Sequence, residues 1–89
     1  EQGFLSDDGV VARIDENTWL CHTTSGGADR IHGWMEDWLQ CEWWDWQVYT
    51  ANVTEQYAQV AVVGPNARKL LQALGGMDVS KESLPFMQW

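Results

Sequence analysis

Two adjacent carboxylates, Asp7 and Asp8 in "GFLSDDGVVARI", stand directly before a run with the look of a buried β-strand, and they are the residues best placed to do chemistry. Neighbouring side chains on a strand point to opposite faces, so only one of the pair can look into a given pocket. A carboxylate in a pocket can stabilise a developing cation or relay a proton. Other candidates are weaker. His22 beside Cys21 would face away from it on a strand, so the two cannot act as a nucleophile and base. His32, one position past Ile31, reads as a surface histidine. "GPNARKLL" lacks the G-x-x-x-x-G-K-[ST] spacing that wraps a phosphate and reads as a strand-to-helix turn. Trp43, Trp44 and Trp46 in "EWWDW" offer an aromatic platform, although large aromatics at a helix end more often cover core or partner surface. Cys21 and Cys41 have no Cys or His partners at finger-like spacing, which speaks against structural zinc and for two reduced, mostly buried thiols.

The elements that must position these residues follow from pattern. "GVVARI" and "WLCHTT" read as two strands of a hairpin joined by the turn chemistry of "DENT". "SGGADR" breaks the second strand and offers Thr24 or Ser25 as a helix N-cap. From Ala28 to about Glu42, Ile31, Trp34, Met35, Trp38 and Leu39 recur at helical spacing, with Asp29, Arg30, Glu36, Asp37 and Gln40 on the solvated faces. Val48 to Val53 and Tyr57 to Val63 are rich in β-formers, with a turn over Thr54 to Gln56. Gly64-Pro65 leads into a second helix carrying Ala67, Leu70, Leu71 and Leu74, which Gly75-Gly76 terminates. The expected architecture is a single module over residues 1–89, α+β, with a mostly antiparallel sheet and two helices packed on one face, a ferredoxin-like ββαββα arrangement. "LPFMQW" is left over as a poor edge strand or a lead into further sequence.

Composition bounds the partners. A net charge of −8 with five Lys and Arg works against a nucleic-acid role, because basic side chains supply most of that affinity. The same charge repels an anionic membrane, and no apolar run reaches the roughly 20 residues of a bilayer span. With no signal-peptide pattern, the cytoplasm is the expected location. The chain starts without Met and stops at "LPFMQW", which reads as a segment of something longer.

"DDGVVAR", "TTSGGA" and "VAVVGPNARKLL", in this order and spacing, resemble the glycine-cleavage T-protein family of folate-binding aminomethyl-transfer domains. The resemblance covers essentially the whole chain and is greatest to the branch in the C-terminal part of the α subunit of heterotetrameric sarcosine oxidase. Dimethylglycine dehydrogenases lie nearby. In T-proteins a Gly-apolar-apolar-x-Asp stretch sets an aspartate beside the folate; laid on "GFLSD", it falls on Asp7, so the resemblance implies that Asp7 faces the folate and Asp8 points away. Thr24, in "HTTSGG", lies near an Asn-containing segment of T-proteins and is implied as a polar contact at the rim of the site. Val11 stands where T-proteins often carry an aromatic, a departure in the pocket wall.

By the same resemblance, the parent enzyme oxidises sarcosine at a flavin and passes the imine to this domain. Glycine, methylenetetrahydrofolate and peroxide are then released. Tetrahydrofolate is the implied cofactor here; FAD, FMN and NAD belong to other segments and subunits, and the partners are the rest of the α chain and the other subunits. The residues that grip the pterin ring and the glutamate tail are expected beyond Trp89, so the isolated piece is expected to be inactive and to bind folate negligibly. The competing expectation is a non-catalytic interaction module that kept the fold and the aromatic surface.

Overall fold

The computed structural model describes residues 2–89. Strand β1 (Val11–Asp15) pairs antiparallel with β2 (Thr18–Cys21), Ala12 opposite Leu20 and Arg13 opposite Trp19. The turn is made as the "DENT" chemistry requires: Asp15 Oδ1 accepts the Asn17 N–H at 2.9 Å, and an irregularity between Arg13 and Asp15 resets the register. Arg13 bonds the carbonyls of Asp15 and Glu16 at 3.1 and 3.0 Å, and its guanidinium lies 5.8 Å from the Trp19 ring centroid. The turn is thereby tied to β2.

A short 3-10 turn, Ser25–Gly27, leads into helix α1 (Ala28–Cys41). Neither Thr24 nor Ser25 caps it; Gly27 occupies the N-cap with no side-chain bond. Helix α2 (Ala67–Leu74) ends at Gly75, whose φ of 73° lies in the region that favours glycine. The architecture is α+β, an antiparallel two-stranded sheet with two helices, in keeping with a ferredoxin-like module.

The second hairpin is not formed among the described residues. Val48 to Val53 and Tyr57 to Val63 form no strand ladder, because Asn52 Oδ1 accepts both the N–H and the hydroxyl of Thr54, at 3.0 and 2.6 Å. This Asx-type closure starts a 3-10 turn over Thr54–Gln56 in place of a tight hairpin turn. "LPFMQW" forms turns, without a strand.

The chain divides into two units, Glu1–Tyr57 and Ala58–Trp89. In the first, the segment after α1 lies along a polar side of the helix. Asn52 Nδ2 bonds Asp29 Oδ1 at 2.6 Å, and the Thr50 hydroxyl bonds Glu36. His32 and Glu36, expected on the surface, are consequently half-buried, while Trp34, Met35 and Trp38 of the expected core stripe stay exposed. Cys21 and Cys41 are free and exposed, not buried as expected: Cys21 ends β2 and Cys41 ends α1, at the margins of their elements. In the second unit, Arg68 of α2 donates to the carbonyls of Val79, Ser80 and Leu84, folding the 78–84 turn over the helix. Val79 beneath it is 2% exposed.

Candidate functional site

The site begins with a glycine. β2 runs on past Cys21, and the His22 N–H donates to the Val10 carbonyl at 2.9 Å. A Cβ at Gly9 would lie 1.8 Å from the His22 carbonyl oxygen, so only glycine lets the lead-in segment lie this close to the exit of β2. The His22 ring closes the same corner, its Nδ1 3.1 Å from the Val10 carbonyl. That close approach carries Asp7, two residues earlier, up to Thr24.

Asp7 is half-buried and Asp8 exposed. Asp7 Oδ1 accepts three hydrogen bonds: the Thr24 hydroxyl at 2.9 Å, the Thr24 N–H at 3.2 Å and the Asp8 N–H at 2.9 Å. Arg30, in the first turn of α1, holds the preceding residue by donating to the Ser6 carbonyl at 3.3 Å. These bonds define an anchored carboxylate. The Thr24 hydroxyl, helped by the Thr24 and Asp8 N–H groups and the Arg30 charge, holds its pKa below the usual carboxylate value, while partial desolvation opposes them. Oδ2 has no protein donor among the described residues and faces the Gly27 backbone.

This arrangement favours one of the two carboxylate roles. A group whose pKa is pushed down stays ionised at neutral pH, which suits stabilising a cationic nitrogen. Its proton affinity then lies further from neutrality, which is unfavourable for relaying a proton. The Thr24 hydroxyl commits its single proton to the hydrogen bond it donates to Asp7 Oδ1.

An open cavity of about 420 Å³ lies elsewhere in the same unit, between the C-terminal half of α1 and residues 44–50, walled by Glu36, Leu39, Gln40, Trp44, Trp46 and Tyr49. Asp7 and Thr24 do not line it. Nothing in the spacing of the sequence singled out Glu36, yet its carboxylate accepts from Thr50 and from Gln40 Nε2, which hold its pKa down. His32 Nε2 lies 3.1 Å from Thr50 Oγ1, on the same hydroxyl that bonds Glu36. Trp43 stacks between Trp38 and Trp46, with ring centroids 5.2 and 4.8 Å apart. Trp44 remains 77% exposed and Tyr49 95%.

The family model described as the GCVT N-terminal domain matches residues 1–89. The chain is 47% identical over 88 residues to the sarcosine oxidase subunit alpha of Corynebacterium sp. (strain P-1), covering 98% of this chain and 9% of that one. It is 37% identical over 87 residues to the Rhizobium meliloti (strain 1021) sarcosine oxidase subunit alpha, again covering 98% and 9%. Against the aminomethyltransferase of Staphylococcus saprophyticus it is 35% identical over 86 residues, covering 97% and 22%. It therefore spans only 9% of the length of these sarcosine oxidase relatives. No solved structure matches the chain. A match over its whole length, on a chain whose hairpin sets Asp7 against Thr24, establishes that it belongs to the GCVT N-terminal domain family.

Proposed function

We propose that this chain is part of the tetrahydrofolate site of a sarcosine oxidase α-like subunit, in which a one-carbon unit from oxidised sarcosine is accepted by tetrahydrofolate. The observation that carries the reading is the anchored carboxylate of Asp7, with one oxygen held by Thr24 and Asp8 and the other without a protein donor among the described residues. A fixed carboxylate with one free acceptor oxygen suits a reduced pterin, whose amine N–H groups need an acceptor and become cationic when they take up carbon. Tetrahydrofolate supplies the amine nucleophile. Asp7 Oδ2 orients an amine N–H and, as a fixed negative charge, favours positive charge on the neighbouring carbon–nitrogen centre. Thr24 and Arg30 keep that charge in place. The sarcosine oxidase relatives, at 47% and 37% identity, support this branch over a T-protein proper at 35%.

Under this reading FAD, FMN and NAD bind other segments or subunits of a cytoplasmic hetero-oligomer. Among the described residues, no helix is long and apolar enough to cross a membrane. Titration of tetrahydrofolate into the full-length parent chain tests the proposal. Asp7→Asn is expected to weaken binding by about tenfold or more, the worth of one charged hydrogen bond, and to abolish most one-carbon transfer. Equal binding and transfer by wild type and variant would favour the non-catalytic interaction module, which the exposed Trp44 and Tyr49 also suit.

A further inference from the structure

We propose that the two oxygens of Asp7 divide the work: Oδ1 is the anchor, Thr24 is a positioning residue that acts through it, and Gly27 is a clearance position that gives Oδ2 room to stay where the anchored carboxylate puts it. The proposal rests on the folate reading for the identity of that ligand and on geometry for the rest.

A Cβ built at Gly27 would lie 2.8 Å from Asp7 Oδ2 and 3.8 Å from Arg30 Nη2. Gly27 itself has φ −100° and ψ −6°, a conformation open to any residue, so the backbone does not require glycine there. The carboxylate does. A short side chain could swing away from an added methyl, but this one is tethered at Oδ1 by the Thr24 hydroxyl and by two backbone N–H groups, so Oδ2 cannot retreat without breaking those bonds. Gly26 is a matched comparison in the same 3-10 turn, since a Cβ there meets nothing within 4 Å.

Gly27 thus lets its backbone lie close against Oδ2, and a side chain there would push the carboxylate out of its anchored position. Thr24 contributes by fixing the direction of the carboxylate, its hydroxyl proton already being committed to Oδ1. The charged groups around Asp7 are Arg30 from α1 and Asp8 on its own segment.

The test uses the full-length parent chain with tetrahydrofolate as probe. Gly27→Ala is expected to weaken binding by about tenfold while Gly26→Ala stays within about twofold, the difference expected for loss of one charged hydrogen bond. Thr24→Val is expected to weaken binding and move its acid limb to higher pH, as the carboxyl pKa returns toward its ordinary value; Thr24→Ser is expected to restore both. Equal losses in the two glycine variants, or no rescue by Ser, would overturn the proposal. If the wild type binds no tetrahydrofolate, the folate reading falls, and crystal structures of the glycine variants decide the geometry. Displacement of Oδ2 in Gly27→Ala alone upholds the clearance role, and an unmoved Oδ2 in both overturns it.

Discussion

At the residue scale, the direction of the carboxyl shifts determines how the chain responds to acid. Asp7, Asp15, Glu36 and Asp78 each accept hydrogen bonds that hold the folded-state pKa below its ordinary value, 3.8 for the aspartates and 4.5 for Glu36. A depressed folded pKa contributes stability that is fully present above the unfolded value and is lost as pH falls through the folded one. Exchange protection of the amides that bond these carboxylates, Asp8, Asn17 and Ser80, is therefore expected to hold from pH 7 to about pH 5 and to be lost below about pH 4. Protection that rises on acidification through that window would contradict the assignment of these bonds. Asp7 was visible as a candidate because paired acids before a β-rich run are conspicuous. The bond to Thr24, 17 residues away, was not visible, since it depends on the close backbone approach at Gly9.

Elements were legible where one segment decides its own structure. The apolar spacing from Ile31 to Leu39 placed α1 to within a residue of its observed end at Cys41, and Gly75 marked the end of α2. What spacing could not reveal is the side of α1 that becomes covered. That is settled by Thr50 and Asn52, whose polar bonds to Glu36 and Asp29 draw the following segment over a hydrophilic side. The expected second hairpin fails for a related reason: β-propensity describes fit to a paired, half-buried surface, and a ladder belongs to two strands at once. The first hairpin offers a direct test. Gly9→Ala drives a methyl into the His22 carbonyl and is expected to cost about 1–3 kcal/mol, in the range of overpacking. Hydrogen exchange at the His22 amide, which bonds Val10, should accelerate by at least the corresponding factor, and unchanged protection there would show that the lead-in segment does not lie against β2.

At the scale of the whole chain, very little apolar surface is withdrawn from water. Val79 is the single buried hydrophobic among the described residues, while Val60 is 83% and Val63 90% exposed. Apolar burial is the main term opposing chain entropy, so residues 1–89 on their own are expected to melt without a cooperative heat-absorption peak and to bind the dye ANS. A sharp calorimetric transition with no dye binding would mean that the piece is self-sufficient. In the parent chain the same residues are expected to lose that dye-binding character. The stack of Trp38, Trp43 and Trp46 has an optical consequence. Indoles this near one another share electronic excitation, so the end of α1 should give a paired positive and negative band in circular dichroism, an intrinsic beacon for local melting. Replacing Trp43, the middle ring, with Leu should extinguish that doublet while the backbone signal of the helix persists.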